Sequence, residues 1–198
     1  MGVLIIQNCW GSVPMEDGMR VDTIKINLNS RELVLRNPEV EDAKMLLEYL
    51  KRTCGETKFL VKNPEEITIT LEEERDFINN QNGSERSLML LGFLDGEYVG
   101  SCSLMGMEPS RYQHRVSMGI ALYQKFTGMG IGRIMTEQLI KISEEKGIEQ
   151  IELEVVEDND RAISLYKDMG FEIMGKFPNN MKYKDGSYAD TYWMIKML

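Results

Sequence analysis

A glycine-rich turn in the second half of the chain constrains the fold more than any other feature. Residues 124–133 read Gln-Lys-Phe-Thr-Gly-Met-Gly-Ile-Gly-Arg. The apolar segment 116–123 before them predicts a strand, and apolar residues recur at helical spacing from 131 to about 146. A strand that passes into a helix through glycines presents several backbone N–H groups at the helix N-terminus, with no Cβ in front of them. The turn therefore predicts a site for a phosphate or pyrophosphate group.

Two common phosphate-binding motifs do not match this turn. The pattern is Gly-x-Gly-x-Gly rather than Gly-x-Gly-x-x-Gly, and no repeated strand–helix–strand half surrounds it, which argues against a dinucleotide fold. No Gly-Lys-Ser/Thr follows, which argues against a P-loop. For the turn taken alone, a plain glycine-rich connection without a ligand remains the alternative.

Composition narrows the class of protein. The chain has 198 residues, of which 42% are hydrophobic, and this predicts one globular domain with a sizeable core. The net charge of −9 argues against nucleic-acid binding and weakly favours a cationic partner such as an amine. Three distant cysteines and one histidine have no metal-site spacing, so we expect no metal, no disulfide framework and a cytoplasmic location. No apolar run is long enough for a membrane span or a signal peptide.

The hydrophobic periodicity predicts an order of elements. We expect an N-terminal extension, either a strand or an arm, over residues 1–20 and one α+β domain with a mixed sheet over 21–198. The predicted elements are an extended segment at 24–36, helices at 39–52 and 70–80, a hairpin of 88–94 and 98–107, a strand at 116–123, a helix at 131–146, a strand at 151–155, a short helix around 162–169, and strands at 172–181 and 188–198.

Three polar residues follow the glycine turn at informative spacings. Asn159 and Tyr166 stand seven residues apart, just before Gly170-Phe171. Taken alone, Asn159 reads as a helix N-cap and Tyr166 as a packed core residue. Glu154 lies on the preceding strand and points away from the apolar Ile151, Leu153 and Val155, as a solvated carboxylate also would.

Together these motifs resemble the GCN5-related N-acetyltransferase (GNAT) family, over residues 24–198 and most sharply over 116–171. The family's pyrophosphate loop, Arg/Gln-x-x-Gly-x-Gly/Ala, matches residues 127–132, with Gly130 and Gly132 in the glycine positions. Thr127 stands where the family usually has Arg or Gln, and Lys125 or Arg133 could supply the missing charge. The resemblance implies a three-layer α+β fold: a mixed, mostly antiparallel sheet with splayed central strands and helices on both faces.

The resemblance also implies a cofactor site for acetyl-CoA. Its pyrophosphate would lie on the turn formed by Thr127, Gly128, Met129, Gly130, Ile131, Gly132 and Arg133. Its pantetheine arm would pair with the backbone of Ile120, Ala121 and Leu122, and would bond to the Asn159 side chain.

Catalytic roles follow in the same way. The resemblance implies that the Tyr166 hydroxyl protonates the leaving thiolate and that Glu154 is the general base. His114 and an ordered water remain alternatives to Glu154.

The implied activity is transfer of an acetyl group from acetyl-CoA to a primary amine, by direct attack in a ternary complex. A small-molecule amine is the favoured acceptor, and a protein N-terminus or lysine is the second. A non-catalytic acetyl-CoA-binding regulatory module is the alternative from another class, and Thr127 is its best support. Dimers are common in the family, so a homodimer is a further expectation.

Overall fold

The structure is a computed structural model that describes residues 19–198. Apart from Met19 and Arg20, the predicted extension over 1–20 lies outside the described residues, as does Cys9. The strands are Ile24–Leu28 (β1), Arg31–Arg36 (β2), Ser87–Leu94 (β3), Glu97–Gly106 (β4), Arg115–Leu122 (β5), Gln150–Val156 (β6), Glu172–Lys182 (β7) and Tyr188–Met197 (β8). The α-helices are Ala43–Glu56 (α1), Leu71–Asn82 (α2), Ile131–Glu145 (α3) and Asp160–Asp168 (α4).

All eight strands form one sheet, in the order β1-β2-β3-β4-β5-β6-β8-β7. Every neighbouring pair is antiparallel except β5 and β6, which are parallel. Their pairing ends at Ser117 with Glu152, although β5 continues to Leu122 and β6 to Val156. The two central strands therefore separate, which confirms the predicted α+β fold with a mixed, mostly antiparallel and splayed sheet.

Helices cover both faces of this sheet. One cluster of buried side chains packs α3 and α4 against strand residues that include Met118 and Ile120. A second cluster packs α1 and α2 against the other face, where Ala121 joins it. The change of face from Ile120 to Ala121 is the normal alternation along a strand. None of the helices within residues 19–198 is long and apolar enough to cross a membrane.

Local turn chemistry explains where the predicted elements were right and wrong. Asp95 and Gly96 form the predicted hairpin turn, with φ of 50° and 82°. The Thr70–Glu73 capping box also forms at the start of α2. The predicted single segment at 24–36 is wrong, because the chain reverses at Asn29-Ser30, where φ is 52° and 68°. Two consecutive positive φ values are typical of a tight hairpin turn, which glycine usually signals and serine does not.

The first helix also differs from its prediction at 39–52. It begins at Ala43 and runs on to Glu56. A short 3-10 turn at Val40–Asp42 precedes it, closed by mutual hydrogen bonds between Glu39 and Asp42. A polar capping turn thus takes up the residues that we predicted as the first helical turn.

Gly100 lets β4 approach the end of β5 closely. It pairs with Leu122, and its φ is 147°. A Cβ there would lie 2.3 Å from the Ala121 carbonyl oxygen and 2.7 Å from the Leu122 Cα. Both are backbone atoms, so no rotamer change would relieve the overlap.

We therefore expect Gly100→Ala to destabilise the fold by about 2 kcal/mol, because it adds backbone strain and a backbone clash at once. In a chain of this size, this lowers the melting temperature by roughly 4–8 °C. Gly175→Ala in β7 is the matched control, since no atom lies within 4 Å of its added Cβ. Equal melting temperatures for the two variants would contradict the prediction.

Candidate active site

The glycine turn leads into α3 with its backbone N–H groups free. Gly128 and Gly130 have φ of 83° and 85°, a conformation that residues with a Cβ rarely adopt. Among residues 19–198, no partner accepts a hydrogen bond from any backbone N–H between Gly128 and Arg133. These donors and the helix dipole point at the same place, so the turn can bind an anion.

Side-chain charge around the turn is already paired. The Thr127 hydroxyl donates to the Gln124 carbonyl at 2.8 Å and so closes the turn. Lys125 forms an ion pair with Glu97, and Arg133 forms one with Asp168 at 2.6 Å.

Arg161, which sequence reasoning missed, stands one residue inside α4 and lines the cavity next to the turn. It has no ion-pair partner within the described part of the chain. It is therefore better placed than Lys125 or Arg133 to supply a positive charge.

The separation of β5 from β6 leaves backbone groups exposed to an opening. The Tyr123 N–H donates to the Val99 carbonyl at 2.9 Å, so the odd-numbered residues of β5 turn their backbone groups toward β4. Ile120 and Leu122 then face the opening, beyond the last pair with β6. Ala121 pairs with Ser101, and its carbonyl also accepts a hydrogen bond from the Tyr49 hydroxyl at 2.6 Å.

The opening adjoins a cavity of about 180 Å³, here called the first cavity. Its lining includes Ala121, Leu122, Thr127 and Asn159, so four of the predicted cofactor contacts meet there. The remaining lining residues are Thr53, Glu56, Thr57, Phe59, Leu60, Gln124 and Arg161.

Asn159 brings an unsatisfied donor to this cavity. Its Oδ1 accepts a hydrogen bond from the Ala162 N–H at 3.4 Å, which confirms that Asn159 is the N-cap of α4. Its Nδ2 is buried and has no hydrogen-bond partner among the described residues. An unpaired buried donor destabilises a protein, so this amide suits a ligand that carries a carbonyl oxygen.

Tyr166 lies on α4 with only 2% of its surface exposed. Its ring contacts Phe171, with 5.7 Å between centroids, as expected for a core aromatic residue. Burial raises the pKa of Tyr166 well above its ordinary value, so the hydroxyl stays protonated at neutral pH. The hydroxyl therefore carries a proton that it could donate, but Tyr166 lines neither the first cavity nor the second cavity described below.

The two candidate bases lie away from the first cavity. Glu154 points to the face opposite Ile151 and Leu153, as predicted, and accepts a hydrogen bond from Asn180 on β7. His114 is exposed, and its carbonyl accepts a hydrogen bond from the Glu149 N–H. Neither residue lines the first cavity or the second cavity described next.

A second cavity, of about 100 Å³, lies between α1, α2 and the sheet. Thr53, Leu60 and Ala121 line both cavities, so the two adjoin. Most of the other lining side chains are apolar, among them Leu46, Leu50, Ile67, Ile69, Phe77, Met89 and Met105. The second cavity is therefore a compartment for an apolar group next to the candidate cofactor site.

Glu74 is an unexpected part of this second cavity. It is 2% exposed, lines the cavity, and carries a buried Oε2 without a hydrogen-bond partner among the described residues. Burial raises the pKa of Glu74 from about 4.5 to about 7. Its position four residues before the buried Ile78 places both on one face of α2, and this spacing was the sequence signal that we missed.

We expect Glu74→Gln to stabilise the protein at pH 8 but not at pH 5. Folding raises the pKa of Glu74, so the folded state holds this proton more tightly than the unfolded state does. The free energy of unfolding therefore falls as the pH rises from about 4.5 to about 7, and it stays low above pH 7. The variant lacks this titration. Since one pKa unit corresponds to about 1.4 kcal/mol and 1 kcal/mol to about 2–4 °C, its melting temperature should exceed that of the wild type by several degrees at pH 8.

The control is Glu72→Gln, an exposed glutamate in the same first turn of α2. Its melting temperature should follow that of the wild type at every pH. A Glu74→Gln curve that runs parallel to the wild-type curve from pH 5 to pH 8 would contradict the prediction.

Comparisons with known proteins agree with this geometry. A family model described as the acetyltransferase (GNAT) family matches residues 44–171. A curated relative, the L-amino acid N-acetyltransferase AaaT of Escherichia coli strain K12, is 30% identical over 54% of this chain and 67% of its own length.

Solved structures give the same picture. A GNAT-family acetyltransferase from Streptococcus pneumoniae has a TM-score of 0.80 and 30% identity over 84% of this chain and 100% of its own. The structure of yncA from Salmonella typhimurium, solved with its cofactor acetyl-CoA, has a TM-score of 0.72 over 84% of this chain and 94% of its own. At 17% identity it supports the fold alone. With a match that spans more than half of its length, the chain belongs to the acetyltransferase (GNAT) family.

Proposed function

We propose that this protein transfers an acetyl group from acetyl-CoA to a primary amine. One observation carries the proposal: three sets of unsatisfied hydrogen-bonding groups belong to residues that line the first cavity or adjoin its lining residues in the chain. They are the N–H groups of the glycine turn, the backbone of Ile120 and Leu122, and the Nδ2 of Asn159. The name of a relative supports it, since AaaT is an L-amino acid N-acetyltransferase.

The hydrogen-bond donors and acceptors of the described residues match the groups of an acetyl-CoA molecule. The free N–H groups from Gly128 to Arg133 would hold the pyrophosphate, and Arg161 would add the charge that Thr127 lacks. Ile120 and Leu122 would pair with the amides of the pantetheine arm, with Ala121 as a wall of the site. Asn159 would donate to a carbonyl of the same arm.

Acetyl-CoA supplies the acetyl group as an activated thioester. In the proposed reaction the amine nitrogen forms a bond to the acetyl carbon, and the carbon–sulfur bond breaks. Tyr166, protonated at neutral pH, donates its proton to the leaving sulfur. The Leu122 N–H can stabilise the developing oxyanion. Glu154 is the proposed general base that removes the proton of the amine. It would act through a water, because it lines neither cavity.

A small molecule is the proposed acceptor. The second cavity adjoins the first, and its volume of about 100 Å³ suits a short side chain or hydrocarbon stem rather than a folded protein segment. A protein N-terminus or lysine is the competing acceptor, and a non-catalytic acetyl-CoA-binding module is the competing class.

Calorimetry with acetyl-CoA and an assay of free thiol test the proposal together. We expect a dissociation constant in the micromolar range, and thiol release with small amines faster than with peptides. Faster release with peptides would favour a protein acceptor, and binding without release with any amine would favour the non-catalytic module. Failure to bind acetyl-CoA up to millimolar concentration would contradict the proposal.

Asn159→Asp separates helix capping from cofactor binding. The variant keeps the side-chain oxygen that caps α4 but loses the Nδ2 donor. We expect acetyl-CoA binding to weaken about tenfold, the effect of one lost hydrogen bond, in a protein that stays folded at the assay temperature because the cap of α4 is kept. Asn80→Asp, at an exposed position of α2, controls for the added charge. Equal affinities for the two variants would argue against a role for Asn159 in binding.

Tyr166→Phe tests the proton donor. We expect kcat to fall about 100-fold, the usual effect of losing a general acid, while the dissociation constant of acetyl-CoA changes little. Tyr98→Phe is the control, because Tyr98 is also a buried tyrosine but belongs to the cluster that packs α1 and α2 against the other face of the sheet. An unchanged kcat in Tyr166→Phe would remove Tyr166 from the mechanism.

A further inference from the structure

We propose that Glu74 binds a positive charge on the acceptor, so that the second cavity selects amines with a second cationic group on an apolar stem. Diamines are the simplest members of this class. The inference rests on the proposed acetyltransferase function, and it names the acceptor chemistry that this site would prefer.

The carboxyl group of Glu74 is isolated within the described part of the chain. Its Oε2 is buried without a hydrogen-bond partner, and no ion pair includes it. Lys62 lines the same cavity and interacts with other groups, among them Cys54 and Glu66. A buried carboxylate lowers the free energy of unfolding unless a cation pairs with it. Glu74 therefore destabilises the free protein, and a cationic ligand would supply the missing partner.

Helix capping does not explain the burial of this side chain. Glu72, Glu73 and Glu74 all lie in the first turn of α2, where the helix dipole favours negative charge. Thr70 and Glu73 already complete the capping box. Glu72 and Glu73 gain the dipole interaction while exposed to solvent, whereas Glu74 is turned into the second cavity.

The walls around Glu74 suit an apolar stem. Leu46, Leu50, Phe77, Met89 and Met105 contribute most of the hydrophobic surface. The volume of about 100 Å³ is of the order that accepts a short hydrocarbon chain, since a cavity of ~150 Å³ accommodates benzene. Burial of methylene groups would favour binding, and the carboxylate would select stems that end in a cation.

The position of the second cavity also fits this class of acceptor. It meets the first cavity at Thr53, Leu60 and Ala121. An amine that reacts at this boundary would direct the rest of its chain into the second cavity. One end of a diamine would then react, and its other end would pair with Glu74.

The test compares straight-chain diamines with monoamines of the same length, from three to six carbons, in the thiol-release assay at pH 7.5. For the wild type we expect kcat/KM to be about 10- to 100-fold higher for the best diamine than for its matched monoamine, as for a hydrogen bond to a charged group. In Glu74→Gln the ratio should fall close to one, because only the diamine loses an interaction. In Glu72→Gln the wild-type ratio should persist.

Equal kcat/KM for diamines and monoamines in the wild type would overturn the inference while leaving the acetyltransferase proposal intact. An equal loss for both amines in Glu74→Gln would also overturn it, because it would assign Glu74 to proton transfer. A second readout needs no turnover: diamines should raise the melting temperature of the wild type but not of Glu74→Gln. No diamine-dependent shift in the wild type would overturn the inference, whether or not thiol is released.

Discussion

The separation of two central strands is the constraint on which the rest of the site depends. β5 is held from Val116 to Leu122 by the antiparallel β4, while β6 is held by β8. The parallel pairing between β5 and β6 ends at Ser117 and Glu152, so the backbone beyond it on β5 has one paired edge and one free edge. Buried backbone groups without partners are rare in proteins, because each costs free energy. An interruption at the centre of an otherwise continuous sheet therefore points to a ligand.

Two other unsatisfied groups belong to residues that line the adjoining cavities. Asn159, whose buried Nδ2 has no partner among the described residues, lines the first cavity, and Glu74, whose buried Oε2 has none, lines the second. Three more buried atoms without partners belong to Tyr98, Arg115 and Tyr183, which line neither cavity. A fold optimised for stability alone would pair or remove such groups. The two that belong to cavity-lining residues, on Asn159 and Glu74, are therefore the candidates for ligand recognition.

The sequence predicted what depends on residues close together in the chain. The glycine turn, the Asn159 cap and the side of β6 on which Glu154 lies all follow from local spacing, and the structure has each of them. The roles of these residues in binding and catalysis stay predictions. The turn at Asn29-Ser30 was missed because positive φ without glycine leaves no clear local signal.

Contacts between distant elements could not be predicted. The packing of α4 beside α3 decides two such contacts: Arg133 pairs with Asp168, and Arg161 lines the first cavity. The spacing from Ile78 places Glu74 on the packed face of α2, but the cavity that it meets there depends on how α1 and α2 cover the sheet. The absence of Glu154 from both cavities likewise depends on β7, which supplies Asn180 as its partner.

The boundary between the two cavities divides the recognition of the proposed substrates. The Tyr49 hydroxyl donates to the Ala121 carbonyl, and the Thr53 hydroxyl donates to the Tyr49 carbonyl at 2.7 Å. Side chains of α1 therefore already provide hydrogen-bond partners for the polar groups at this boundary. On one side, the candidate contacts for acetyl-CoA are mostly backbone groups, which depend on the course of the chain rather than on side-chain identity. On the other side, the surface is built from side chains, with Glu74 as its buried acid. A substitution in the second cavity can therefore change the acceptor without disturbing the groups proposed to hold the acetyl donor, and this division lets one fold serve different amines.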